Sequence, residues 1–197
     1  MTGKTHQIIG ATASIIISSI AIQTGHLNLP MAFTVVAGSS LGSFIPDMDH
    51  TGSTLGKKIA IISHPVNLLS KMFLNLHKKT KSKICLKIGE IFAHRGIFHA
   101  PIFWAILILL AQFGTSSISN DIVRTPLLGI LTGIAIGIFM HLFADMFNPT
   151  GVPLLMPILN RKISIGNITT GSWKENLILI SCIGITIIGV TLSTKLL

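Results

Sequence analysis

The residues of this 197-residue chain that are best suited to chemistry form an H-x-x-x-D pair, His141 and Asp145, near the end of a long apolar stretch. A spacing of four places both side chains on one face of a helix, one turn apart, where both can reach one metal ion. Gly129, Gly133 and Gly137 precede the pair at the same spacing, and such rows of small residues let a second helix approach closely. Ionisable groups on a packed face of a membrane helix are rare and usually functional. The pair therefore predicts a metal site.

Other apolar stretches carry His and Asp at their ends. His6 opens the first stretch, Asp47, Asp49 and His50 close the second, and His94 and His99 open the third. With His141 and Asp145 these make eight candidate ligands, which exceeds what one metal ion needs and is enough for two or three. Each has a plainer interpretation alone: His6 is typical of an interfacial residue at a helix end, and Asp47 and Asp49 are compatible with a simple turn after a proline.

Five apolar segments position these residues. They lie at roughly 7–24, 29–46, 98–114, 126–147 and 176–193, and a helix needs about 20 apolar residues to cross the hydrocarbon core. Only 11% of the residues are charged and 49% are hydrophobic, whereas about 25% are charged in a typical soluble domain. We therefore expect an all-α protein in which residues 1–197 form one polytopic transmembrane bundle of about five membrane helices.

Three of these segments have recognisable helix starts. Asn28 can cap the second, with Pro30 in its first turn. Thr125 is the predicted cap of the fourth, with the following proline at the first helical position. Ser172 and Glu175 form an S-x-x-E capping box ahead of the fifth.

Lysine and arginine predict the orientation. They concentrate at the N-terminus, in the loop 47–97 and in the segment between the fourth and fifth helices. With five helices these regions fall on one side, which the positive-inside rule makes cytoplasmic. The net charge of +9 thus has an explanation that requires no nucleic acid. All eight candidate ligands fall on the same cytoplasmic side, although the side was assigned without them.

The loop 47–97 is more than a linker. Leu69, Met72, Phe73 and Leu76 recur at helical spacing among lysines, which predicts a short amphipathic helix lying in the membrane interface and attracted to anionic lipid. A second short helix is expected over Ile84, Ile88, Ile91 and Phe92. A solvated basic loop is the alternative for residues 78–87.

Three histidines are poorer candidates for the site. His26 lies in the outer hairpin, His77 lies in a lysine run, and His64 before a proline is typical of a helix start.

The order of these motifs resembles the YdjM-like family of bacterial inner-membrane metal-dependent hydrolases. The resemblance rests on Asp47-Met48-Asp49-His50, His94-Arg95-Gly96-x-x-His99, His141-x-x-x-Asp145, Asn148-Pro149-Thr150-Gly151-Val152-Pro153-Leu154-Leu155 and Thr170-Gly171-Ser172-x-x-Glu175. That family is distantly similar to zinc-dependent phospholipase C and to S1/P1 nucleases, so the resemblance implies a hydrolase and, more remotely, phosphoester chemistry. The soluble enzymes use their N-terminal amino group as a ligand, an arrangement that the distance of Met1 from His6 along this chain does not support.

Mixed His and Asp ligands favour Zn²⁺ over Mn²⁺ or Fe²⁺. We expect His141, Asp145, His99 and His94 as core ligands, with His6 and His50 as additional ligands. Asp47 or Asp49 is expected to bridge the ions or activate water, and Arg95 to bind a substrate phosphate. The alternative for Arg95 is one more positive-inside residue. A site at the inner interface favours a small-molecule or lipid phosphoester substrate, such as a lipid head group.

Other classes of function fit less well. A transporter needs ionisable groups near the bilayer midplane, where this chain has Ser, Thr, Gly and apolar residues. A haem protein does not need the three nearby aspartates. A non-catalytic protein that binds metal for stability needs the same ligands as an enzyme, and an open coordination position separates the two.

Overall fold

The computed structural model describes residues 1–195 and is built of helices. The helices are α1 Gly3–Gln23, α2 Leu29–Gly42, α3 Thr54–Lys58, α4 Ala60–Thr80, α5 Lys83–Ile91, α6 Pro101–Thr115, α7 Asp121–Met146 and α8 Trp173–Lys195, with 3₁₀ segments at Ile45–Asp49 and Ile97–His99. The predicted all-α class and its transmembrane character are confirmed.

Four parts of the described chain are long and apolar enough to cross a membrane: α1, α2 with the 3₁₀ segment that follows it, α7, and Trp173–Thr191 of α8. The predicted third membrane helix, 98–114, is shorter than the others. Its first residues form the 3₁₀ segment Ile97–His99, and α6 has 15 residues, fewer than the roughly 20 that span the hydrocarbon core.

Helices α2 and α7 pack backbone against backbone along their glycines. A Cβ on Gly133 would lie 2.0 Å from the Val35 carbonyl oxygen, and one on Gly137 would lie 2.2 Å from that of Ser39. A Cβ on Gly38 would similarly meet the Ile130 carbonyl at 2.3 Å. This confirms that the glycine face of α7, which also carries the H-x-x-x-D pair, faces protein.

Helix α1 packs against α2, α7 and α8. The Ser39 hydroxyl donates to the Gly10 carbonyl at 2.8 Å, and the Thr186 hydroxyl donates to Thr12 at 2.9 Å. The beginning of α1, the end of α2, the residues before α6 and the end of α7 therefore meet at one end of the bundle.

The helix starts agree with the sequence at two of the three predicted positions. The Asn28 side chain caps α2, with proline in the first turn. The predicted Thr125 cap is wrong, because the cap of α7 lies five residues earlier, at Asn120, which accepts the Ile122 N–H at 3.0 Å. Pro126 is tolerated inside α7 because it removes only one backbone hydrogen bond, close to the helix start. Ser172 accepts the Glu175 N–H at 3.4 Å, as expected of a cap.

Residues 54–91 form what we call the α3–α5 arm. The two predicted amphipathic helices are present, as α4 and α5. The exposed apolar side chains of α4 include Leu68, Met72 and Leu76, whereas Leu69 and Phe73 are half-buried. The predicted helix start at His64 is wrong, since α4 begins at Ala60.

Candidate metal centre

Four side chains from three parts of the chain converge at the centre of the site. The His99 Nε2 atom lies 3.6 Å from Asp47 Oδ1 and 3.6 Å from Asp145 Oδ2. The His141 Nε2 atom lies 3.7 Å and 3.8 Å from the same two oxygens. Two imidazole nitrogens, from α7 and the 3₁₀ segment Ile97–His99, thus face two carboxylate oxygens, from α7 and the 3₁₀ segment Ile45–Asp49.

His141 is oriented by the backbone of α2. Its Nδ1 lies 2.7 Å from the Ser43 carbonyl oxygen, which fixes Nδ1 as the protonated donor and leaves the Nε2 lone pair directed at the carboxylates. Such a second hydrogen bond is typical of histidines that bind metals. The Ser43 carbonyl is available because α2 ends there.

The Asp145 carboxylate contacts side chains from several elements. Its Oδ1 accepts from the Asn148 amide at 2.6 Å and lies 3.4 Å from His6 Nε2. Its Oδ2 pairs with Arg95 at 2.9 Å. The His6 ring also stacks on that of His141, with centroids 3.9 Å apart, so α1 contributes directly to the centre.

His94 forms the outer part of the site. Its Nδ1 lies 3.1 Å from Asp49 Oδ1, and its ring contacts those of His50 and His99 at centroid distances of 4.4 Å and 5.3 Å. Asp49 is 1% exposed and reaches the site through His94. His50 likewise contacts the cluster through the His94 ring.

Arg95 is held by three oxygens. Besides Asp145, its guanidinium donates to the Thr150 hydroxyl and to the Gly151 carbonyl, the latter at 3.2 Å. Arg95 has φ +60°, a left-handed conformation that is uncommon outside glycine. The next residue must be Gly96, because a Cβ there would lie 2.3 Å from the Ile91 carbonyl oxygen.

The segment after α7 supports the site from one side. Gly151 has φ +63°, a turn that glycine adopts without steric cost. Val152 is fully buried and forms an antiparallel bridge with Ile163. The turn thereby positions the Thr150 and Gly151 oxygens that hold Arg95.

The donor atoms fit a divalent metal. His6, His141 and Asp145 offer ligand atoms that all lie within 4.8 Å of one another, and so do Asp47, His94 and His99. Nitrogen and oxygen ligands about 2.0–2.2 Å from a tetrahedral zinc lie roughly 3.3–3.6 Å apart. Within the first group, Asp145 oxygens lie 3.4 Å from His6 Nε2 and 3.8 Å from His141 Nε2, and within the second, Asp47 Oδ1 lies 3.6 Å from His99 Nε2.

Several buried atoms of these residues have no hydrogen-bond partner within the described part of the chain. They are His6 Nδ1, Asp49 Oδ2, both ring nitrogens of His99, and His141 Nε2. Leaving a buried polar group unsatisfied costs about 1–3 kcal/mol, so five such atoms in one cluster are unfavourable unless a ligand satisfies some of them. Bound metal would satisfy the nitrogens that face the carboxylates.

Two groups outside the membrane-spanning helices have shifted pKa values. Burial alone would lower the pKa of His99, but its contacts with Asp145 and Asp47 outweigh burial and raise the pKa to about 9. Burial and the neighbouring His94 lower the pKa of His50. Metal binding by His99 therefore requires displacement of a proton at neutral pH.

A cavity of about 340 Å³ opens beside the cluster. Its lining includes His6, Asp47, His94, Arg95 and Asp145. The candidate ligands thus border a space large enough for a small polar group.

All eight predicted ligands and Arg95 are in this region, six of them in the two groups of three. The sequence pattern does not predict roles for the Ser43 carbonyl, Asn148 or Thr150. Asn148 and Thr150 belong to the family motif of residues 148–155. The sequence pattern also does not predict a role for Met1, whose amino group lies 3.3 Å from Asn148 Oδ1 and 4.0 Å from Asp145 Oδ1.

Comparisons with known proteins identify the family of the chain. The family model described as YdjM inner membrane protein matches residues 1–196. The chain is 30% identical over 179 residues to the uncharacterized protein YvsG of Bacillus subtilis (strain 168), covering 91% of this chain and 88% of that protein. It is 30% identical over 128 residues to the inner membrane protein YdjM of Escherichia coli (strain K12), covering 62% of this chain and 49% of that protein.

No solved structure matches the chain. The family match spans nearly the whole sequence, and the structure has four helices of membrane-spanning length among its described residues. The chain is therefore a multi-pass inner-membrane protein that belongs to the YdjM family.

Proposed function

We propose that this protein is a metal-dependent hydrolase that cleaves a phosphoester at the cytoplasmic face of the membrane. The main support is the convergence of His and Asp side chains from α1, α2, α7 and the segment before α6 on one cluster with unpaired ring nitrogens. A protein that needed these residues only for folding would pair those nitrogens with protein groups.

The residues divide into ligands and supporting groups. His6, His141 and Asp145 would hold one divalent ion, and Asp47, His94 and His99 a second. Zinc suits this donor set best. When bound, such ions lower the pKa of water and polarise a phosphoryl oxygen.

Arg95 is the proposed binding group for the substrate phosphate. Three oxygens already hold its guanidinium, but a guanidinium has five N–H donors. Arg95 lines the same cavity as the ligands, so the remaining donors can contact an anion there. Its fixed position would orient a phosphate without further loss of side-chain entropy.

The substrate is expected to be a small-molecule or lipid phosphoester, with a lipid head group favoured. The site lies where the membrane-spanning helices begin and end, and the basic α3–α5 arm connects α2 to α6. A head group can therefore reach the cavity by lateral diffusion along the membrane surface.

A non-catalytic metal site is the second candidate. It is favoured by the burial of His6, His141 and Asp145, each 0–1% exposed. It does not account for the cavity bordered by Asp47, His94 and Arg95, because a closed structural site leaves no room for substrate.

Hydrolysis assays on detergent-purified protein separate the two candidates. The substrates would be a nitrophenyl phosphomonoester, a bis-nitrophenyl phosphodiester and a phospholipid in mixed micelles, each with added Zn²⁺ or Mn²⁺. We expect metal-dependent release of product, a loss of about 100-fold or more in Asp47→Asn, and a raised KM with retained metal in Arg95→Gln. His26→Ala, an exposed histidine in the outer hairpin, is the matched control and should match the parent.

The hydrolase proposal fails if the protein binds metal and gains thermal stability from it but cleaves none of the three substrate classes. That result would support the non-catalytic metal site.

A further inference from the structure

The α3–α5 arm presents an apolar stripe that none of the described residues covers. Ile61, Leu68, Met72 and Leu76 of α4 are 85%, 69%, 52% and 41% exposed. At 100° per residue these four positions fall within an arc of about 80° on the helix. Ile84 of α5 adds another side chain that is 71% exposed.

The opposite side of α4 is used for packing. The Ser70 hydroxyl donates to the Gly89 carbonyl at 2.8 Å, and Leu74 leaves no room for a Cβ on Gly89. Helix α4 also contacts the 3₁₀ segment Ile45–Asp49. The two helices thus form one unit whose apolar stripe faces away from its own interior.

Positive charge surrounds the stripe. Residues 54–91 contain one acid, Glu90, against eight lysines: Lys57, Lys58, Lys71, Lys78, Lys79, Lys81, Lys83 and Lys87. Lys71 and Lys78 are exposed along one edge of the stripe. An apolar stripe bordered by lysines is typical of a helix that lies in the head-group region of a membrane.

The connections of the arm bring it to a bilayer. Its first residues follow the membrane-spanning segment Leu29–Asp49, and its last residues lead into the apolar helix α6. The Ser53 hydroxyl donates to the Asp47 carbonyl at 2.7 Å, which fixes the start of the arm at the end of that span.

We propose that the α3–α5 arm docks on the surface of the bilayer that the protein spans, with its apolar stripe among acyl chains and its lysines on anionic head groups. The anionic lipid supplies the charge that the arm lacks, and the stripe gains the burial that protein does not give it. This inference is independent of the metal site and of any catalysis.

Spin-label accessibility in nanodiscs tests the proposal on the full chain. In a background with Cys85→Ser and Cys182→Ser, a nitroxide is attached at Leu68→Cys in the stripe or at Lys78→Cys on the lysine edge. Discs contain either phosphatidylcholine alone or an equimolar mixture with phosphatidylglycerol. Collisions with oxygen report immersion in lipid, and collisions with a polar nickel chelate report exposure to water.

We expect the label at Leu68 to be oxygen-accessible and chelate-protected in the anionic discs, with the label at Lys78 accessible to the chelate. Protection at Leu68 should decrease in discs without phosphatidylglycerol and in the triple variant Lys71→Gln, Lys78→Gln, Lys79→Gln. Metal content measured on the same samples should not change.

Two results would overturn the proposal. Equal chelate accessibility at Leu68 and Lys78 in anionic discs would place the stripe in water. Dipolar broadening at Leu68 that disappears on dilution with unlabelled protein would show that a second copy of the chain covers the stripe.

Discussion

Asp47 and Asp49 are two residues apart and meet different surroundings. Asp47 is partly exposed, and its Oδ1 lies 3.6–3.7 Å from the Nε2 atoms of His99 and His141. Asp49 is buried and contacts His94 Nδ1 at 3.1 Å. The 3₁₀ segment that contains them turns their side chains in different directions. The geometry therefore favours Asp47 as a ligand and Asp49 as the group that orients His94.

Substituting the two aspartates separately tests this division. We expect Asp47→Asn to abolish binding of one metal equivalent, because a ligand is removed. Asp49→Asn should weaken metal affinity by roughly 10–100-fold, as removal of an orienting partner does. Competition titrations with a zinc indicator measure both affinities. Equal losses in the two variants would contradict the assignment.

The identity of the site residues was predictable at this scale, but their partners were not. His141 and Asp145 share a helix face at a spacing of four, which the sequence displays directly. The Ser43 carbonyl and the Asn148 amide act on them across elements, and such contacts depend on how helices cross. Asn148 carried one local signal, its position three residues after Asp145.

At the scale of elements, the row of glycines on α7 sets how closely α2 approaches. The ideal Cβ position on Gly133 is 2.0 Å from the Val35 carbonyl oxygen, far below any van der Waals contact. Because the neighbour is backbone, it cannot move aside by a side-chain rotation. The contact also positions the His141 end of α7 against the Ser43 end of α2.

Gly133→Ala is therefore expected to separate α2 from α7 and to destabilise the protein by about 1–3 kcal/mol or more. Gly184→Ala in α8 is the matched control, because no atom of the residues that the structure describes lies within 4 Å of its Cβ position. Thermal unfolding in detergent, followed by circular dichroism or a thiol-reactive dye, measures both. A melting temperature for Gly133→Ala equal to that of Gly184→Ala would show that the close packing is unimportant.

Element boundaries were less predictable than element identity. The sequence predicts a start of α7 at Thr125, because proline favours the first helical position. In the structure Asn120 caps α7, and Asp121 to Arg124 form its first turn. For the arm, spacing alone predicted an amphipathic α4 but did not reveal that α5 would half-bury Leu69 and Phe73. Pairing of two short helices is a tertiary property that one helical period does not encode.

At the scale of the whole molecule, Glu175 connects the last helix to the first. It is 1% exposed and accepts hydrogen bonds from the Thr2 N–H at 2.5 Å, the Gly171 N–H at 2.6 Å and the Thr5 hydroxyl. The predicted capping contact of Ser172 is present. The Glu175 carboxylate additionally accepts hydrogen bonds from donors at the start of α1. This contact holds the turn of α1 that carries His6.

Glu175→Gln should lower thermal stability and weaken metal retention together, because the amide N–H₂ would face N–H donors where the carboxylate accepted them. The chain's other glutamate, Glu90 in the arm, provides the control Glu90→Gln. Melting temperature and metal content are measured on both proteins. Loss of stability with full metal retention would separate Glu175 from the site.

The convergence of the candidate ligands was predictable because the distribution of lysine and arginine predicts that all of them lie on one side of the membrane. In the structure these ligands meet at one end of the bundle, as the assignment requires. The length of α6 and the cavity at the site were not predictable, since both depend on where the segments before and after α6 pack.

The most direct test of the central claim is the metal content of purified protein, measured by inductively coupled plasma mass spectrometry on the parent, His141→Ala and the control His26→Ala. We expect one to two equivalents of a divalent metal, most of it zinc, in the parent and in His26→Ala. His141→Ala should lose at least one equivalent. Equal metal content in His141→Ala and the parent would contradict the proposed metal site. The same conclusion would follow if none of the three proteins holds metal after purification without chelators and adding zinc does not change the melting temperature.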